Sequence, residues 1–86
     1  MWRPSLVMRV QNLMKTRHES VGPDGQLAKR SSSTKVYAHA VWVRKTSPPN
    51  PWFVEGWCSR LDLANKLAHG LRNMGYEAYI SNAIVL

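Results

Sequence analysis

The chain has 86 residues, a formal net charge of +7 and one cysteine. That length accommodates one domain with a thin core, and a lone thiol excludes an internal disulfide framework. No apolar run approaches the roughly 18 residues that a membrane-spanning helix requires. The surplus of cations turns attention to polyanions, acidic membrane surfaces or acidic proteins as partners.

The charge is unevenly placed. Residues 1–35 hold seven Lys and Arg against two acids, and residues 36–86 hold five against three. Segment 5–17, SLVMRVQNLMKTR, places Leu6, Val10 and Leu13 on one helical stripe, but Leu6, Met8 and Val10 also alternate as in a strand. We therefore expect a short N-terminal helix or strand there. The first 18 residues contain basic and apolar side chains and no acid, as organelle-targeting segments do. Arg9 interrupts Leu6–Val10, so no secretory apolar core forms, and we read an amphipathic N-terminus.

Segment 20–35, SVGPDGQLAKRSSSTK, is rich in turn formers and hydroxyls and poor in packing groups. It reads as a mobile basic linker, so that 1–35 forms a basic, partly flexible segment and 36–86 a folded domain. VYAHAVWV (36–43) is β-branched and aromatic, as a strand requires. RKTSPPNP (44–51) ends it, because prolines donate no ladder hydrogen bond. WFVEGWC (52–58) reads as a second strand.

Ser59 then offers an N-cap, with Asp62 three residues on as a short capping box. Leu63, Ala64, Leu67, Ala68, Leu71 and Met74 form one apolar stripe, and Gly75 stands where a left-handed terminator belongs. Tyr76 to Ile80 alternates as a further strand, and the apolar 83–86 extends or packs against it. The expected class is α+β: a β-β-α-β unit with an antiparallel-rich sheet and one helix on one face.

Two surfaces offer chemistry for a partner. With the apolar stripe inward, Asn65, Lys66, His69, Arg72 and Asn73 share the outer helix face, alongside Asp62 as an i,i+4 partner for Lys66. Amides and imidazole at this spacing suit base edges, and the cations suit phosphates. The sheet face away from the helix carries aromatic residues drawn from Tyr37, His39, Trp42, Phe53 and Trp57. Such rings stack unpaired bases while Arg44 and Lys45 hold phosphates. Residues 6–14, or a second copy, would otherwise cover them. Lys29, Arg30 and Lys35 add sequence-independent phosphate attraction.

Other chemistries find little here. His18, His39, His69 and Cys58 lack the paired spacing of a zinc site. Cys58 in a strand reads as a small core hydrophobe. Gly22 and Gly25 flank Pro23 without the following helix and Lys-Ser/Thr of a phosphate loop. No cofactor and no enzymatic activity are expected. A cytoplasmic, non-enzymatic, nucleic-acid-associated module is the first expectation, and a protein-binding or self-associating module is the alternative.

VEGWCSRLDLANKLAHGLRNMGYEAYI (54–80) also resembles the second half of a SPOR domain, the small peptidoglycan-binding repeat. Val54, Gly56, Ala64, Leu67, Ala68, Leu71, Gly75, Tyr76, Ala78 and Ile80 carry the match. The resemblance implies a β–α–β–β–α–β fold that grips glycan strands on its sheet. It covers about a third of the chain, and residues 1–35 do not show the first half-repeat.

Overall fold

The computed structural model describes residues 15–45 and 50–86. The elements expected over 6–14, and the strand terminators Thr46 to Pro49, lie outside the described residues. Among those described, the order is β1 (Thr16–Val21), β2 (Leu27–Ser32), β3 (His39–Arg44), β4 (Phe53–Cys58), α1 (Leu61–Asn73) and β5 (Glu77–Val85). The strands form one five-stranded sheet in the order β2-β1-β5-β3-β4, and every neighbouring pair is antiparallel. This is an α+β domain with one helix on one face.

The long β5 joins the two halves. Its residues 77–82 pair with β3, and 83–85 pair with β1. A strand of nine residues has room for two successive partners, and the sheet curls where the partner changes.

A β-hairpin stands where the composition of 20–35 suggests a mobile linker. Gly25 takes a φ of 88°, and the turn closes by hydrogen bonds from Gly22 N–H to Gln26 O and from Gly25 N–H to Gly22 O. The Asp24 carboxylate accepts from both the backbone and the side chain of Gln26. Those two bonds hold its carboxyl below the ordinary range. Polar Lys29, Arg30, Ser31 and Ser32 pair there because β2 is an edge strand, where long charged side chains remain in water and discourage pairing with other chains. The basic stretch is therefore part of the same sheet as residues 36–86 from Thr16 onward.

The helix begins one residue later than expected. Arg60, in extended backbone, is the N-cap and supplies no side-chain cap. Its guanidinium instead binds the Asp62 carboxylate, so neither the Ser59 capping box nor the Asp62–Lys66 pair forms. At the other end Gly75 has φ 89°. Tyr76 N–H bonds Leu71 O, and Gly75 N–H bonds Arg72 O, which together make a Schellman termination.

The helix seam is narrower than the sequence stripe. Ala64, Ala68 and Leu71 are buried against Val41 and Val43, with Leu67, Cys58, Tyr76, Ala78 and Ile80 around them. Leu63 and Met74, at the stripe's two ends, are exposed. The helix packs chiefly on β3, β4 and, at Ala78 and Ile80, β5. Small alanines bring the helix close, and at Gly56 an added Cβ would meet Leu67 at 2.7 Å.

The opposite face has its own core around Trp42, which is 1% exposed. Its indole N–H donates to Ser20 Oγ at 3.2 Å. Gly22 lies so near that a Cβ there would stand 2.7–2.9 Å from three ring carbons. The β1–β2 hairpin thus folds over Trp42, in the role expected of residues 6–14 or a second copy. Gln26 reaches on to the Trp52 carbonyl at 3.2 Å, tying the turn to the entrance of β4.

One ion pair bridges neighbouring strands. Arg44 on β3 binds Glu77 on β5, and that bond holds the Glu77 carboxyl below its ordinary value of 4.5. A depressed carboxylate contributes stability above its unfolded value, and the contribution fades as pH falls through the lower folded value. Urea midpoints of wild type and Glu77→Gln should therefore differ at neutral pH and converge as pH falls below the ordinary carboxylate value and through the lowered folded one. The difference should be small, since Glu77 is fully solvated.

Candidate nucleic-acid interface

Strand alternation assigns the β1–β2 side chains to two faces. In the ladder His18 stands opposite Arg30 on β2 and Val85 on β5, and Glu19 stands opposite Lys29 and Ile84. His18, Arg30, Ser20 and Trp42 share the face away from the helix. Arg17, Glu19, Lys29 and Ile84 point to the other.

At the open end of the hairpin a cleft of about 270 Å³ is lined by Arg17, His18, Lys29, Arg30, Ser31 and Leu86. No carboxylate side chain lines it. Among the described residues, Arg17, Lys29 and Arg30 have no acidic partner within 4.0 Å, since the ion pairs there are Arg44–Glu77 and Arg60–Asp62. Three cations around a concave surface make a site for an anion, and Ser31 adds a hydroxyl donor.

Beside the cleft stands an aromatic group. The Tyr37 ring lies 5.1 Å from His18 and 6.3 Å from Trp57, and Trp57 is 6.5 Å from His18. The Arg30 guanidinium is 6.0 Å from the Tyr37 centroid, within cation–π range. Tyr37 and Trp57 are half-buried, whereas His18 is 1% exposed. His18 fixes the arrangement: Tyr37 N–H donates to its Nε2 at 2.9 Å, and its Nδ1 lies 3.1 Å from the Arg30 carbonyl. An acceptor at Nε2 and a carbonyl facing Nδ1 select the neutral ring with its proton on Nδ1.

The residues expected to form one site are distributed over three places. Lys29 and Arg30 line the cleft, and Lys35 is exposed in the connection after β2. Arg44 is engaged by Glu77 and lies 4.8 Å over the Trp52 ring. Lys45 lines a separate cleft of about 240 Å³ with Val43, Phe53, Leu71, Met74 and Tyr76. Asn65, Lys66, His69, Arg72 and Asn73 are all exposed on the outer face of α1, and Arg72 also donates to the Ala78 carbonyl at 2.9 Å. The helix set and the cleft belong to different parts of the fold. Arg17 and Ser31 join the cleft without having been singled out by the sequence. The signal available for them was the Gly-Pro-Asp-Gly turn, which folds residues 16–21 back on 27–32.

Two other groups are accounted for locally. Partial burial raises the Cys58 thiol above its ordinary range, which suits a packing residue more than a nucleophile. His39 Nδ1 is buried without a hydrogen-bond partner among the described residues, and nothing in its surroundings gives it one. Among the described residues no three His, Cys, Asp or Glu are grouped to hold a metal ion, and no helix is long and apolar enough to cross a membrane. Compared with family models, curated proteins and solved structures, the chain matches none of them.

Proposed function

We propose that the chain is a non-enzymatic binding module for nucleic acid that engages phosphates through the β1–β2 hairpin. The observation that carries this reading is the cleft lined by Arg17, Lys29 and Arg30, with no acidic side chain among its lining residues. Among the described residues these three cations have no acidic partner and remain available to phosphates, and Lys35 extends the positive surface along the chain. The net charge of +7 adds long-range attraction.

Binding of a labelled 20-nucleotide DNA or RNA, measured by fluorescence anisotropy, should weaken steeply with salt as counterions are displaced. The triple variant Arg17→Gln, Lys29→Gln, Arg30→Gln should lower the slope of log K against log salt by about 2 to 3, at about 0.7–0.9 per phosphate contact. Alanine at Asn65, His69 and Asn73 should leave affinity within about twofold, the scale of a surface change outside the interface. Absence of binding at low salt, or binding indifferent to salt, would overturn the proposal.

A protein-binding or self-associating role is the second reading. Val21, Leu27, Ile84 and Leu86 are each at least 50% exposed, and the ladder puts Val21, Leu27 and Ile84 on the helix side of the sheet, beyond the helix. Uncovered apolar residues grouped on one face favour contact with another protein surface. Sedimentation velocity separates the readings, because a monomer across the micromolar range removes self-association.

A further inference from the structure

We infer that the ligand is single-stranded nucleic acid, with unpaired bases stacking on an aromatic strip beside β4; this rests on the proposed nucleic-acid reading and names its substrate class. A cationic cleft alone attracts any polyanion, duplex included. What distinguishes this surface is what adjoins the cations.

β4 is an edge strand. Trp57 stands opposite Ala40, and Val54 opposite Trp42, with a bulge between the two pairs. Ala40 and Trp42 face away from the helix, so Trp57, Val54 and the preceding Trp52 lie along that same face. Trp57 and Trp52 are both half-buried, each with surface in solvent. Each stands beside a second group that extends the platform: Tyr37 at 6.3 Å from Trp57, and the Arg44 guanidinium at 4.8 Å from the Trp52 ring. Five residues of extended chain separate the two tryptophans by about 16 Å at 3.3 Å per residue. Arg30 sits beside the first station, on the same face of the sheet.

Aromatic faces at an open strand edge, with cations alongside, make a platform for unstacked bases. A base pair already stacked in a duplex offers those rings no free face. The buried indole of Trp42, hydrogen-bonded to Ser20, takes no part in contact.

The test compares fluorescein-labelled oligothymidylate of 12 nucleotides, its duplex with oligodeoxyadenylate, and heparin, all at one salt concentration. The single strand should bind at least about tenfold more tightly than the duplex, in keeping with base–aromatic stacking. Tyr37→Leu, which retains the backbone N–H that His18 accepts, should lose about tenfold for the single strand and less than about twofold for heparin. In wild-type protein the indole N–H resonances of Trp57 and Trp52 should move on titration with the oligonucleotide while that of Trp42 stays. This reads the contact without any substitution. Equal affinity for strand and duplex, with unmoved Trp57 and Trp52 resonances, overturns the single-strand inference and leaves phosphate binding standing. No binding of any of the three polyanions overturns both.

Discussion

Trp42→Ala is expected to remove a large share of the folding free energy. Trp42 is the largest of the fully buried side chains, and truncating such a residue costs about 3–5 kcal/mol. Native domains hold roughly 0.05–0.15 kcal/mol per residue, which for a chain of this size is on the order of 4–13 kcal/mol. The helix side has little to set against the loss, because its buried seam consists of Val41, Val43, Ala64, Ala68 and Leu71. Collapse around the missing indole is opposed by the ladder that holds β1, β5 and β3 apart. Urea unfolding of the alanine variant should show a midpoint lowered by the equivalent of about 3–5 kcal/mol. Trp42→Phe keeps a ring in place but leaves the buried Ser20 hydroxyl without its indole donor, so its loss should be smaller, about 1–3 kcal/mol. Alanine and phenylalanine variants with equal midpoints would show that the ring is not the anchor of this face.

Where the chain is legible in its sequence, the signal is local. Residues 61–75 show their helix through the spacing of Ala64, Leu67, Ala68 and Leu71 and through Gly75, whose positive φ ends it. β3 and β4 are legible for the same kind of reason, since aromatic and β-branched runs suit strands whatever surrounds them. The hairpin is different. TRHESV and LAKRSS carry no apolar alternation, and the residues that β1 buries are His18 and Ser20. Their burial is matched by distant partners: Tyr37 and Arg30 for His18, and Trp42 for Ser20. A polar residue inside a core cannot be distinguished from a surface one until those partners are known. The binding surface divides along the same line. Lys29 and Arg30 announce themselves by charge, but their neighbours follow from the pairings His18↔Arg30 and Ala40↔Trp57, which composition does not encode. The bonus of a capped helix start was equally out of reach, because Arg60 takes the Asp62 carboxylate before any capping box closes.

His18→Leu should destabilise the fold by about 2–5 kcal/mol while leaving packing volume nearly unchanged. The ring is 1% exposed and serves two main-chain groups at once, the Arg30 carbonyl and the Tyr37 N–H. Leucine fills the space and offers neither a donor nor an acceptor. A main-chain group left unmatched costs about 1–3 kcal/mol when fully buried and less here, where both bonds are part-buried. Glutamine carries a donor and an acceptor on one flexible arm, so His18→Gln should recover part of the loss, and the difference between the variants isolates hydrogen bonding from packing. Amide exchange gives a local readout: the Tyr37 N–H should be protected in wild type and in fast exchange in the leucine variant. The same substitution reaches the ligand surface, because His18 holds the Tyr37 backbone beside Trp57. Single-strand affinity should therefore fall in a variant that is still folded, while heparin affinity, which depends on Arg17, Lys29 and Arg30, changes little. A leucine variant with wild-type stability and an unaltered Tyr37 exchange rate would mean that water satisfies both groups and that His18 positions nothing.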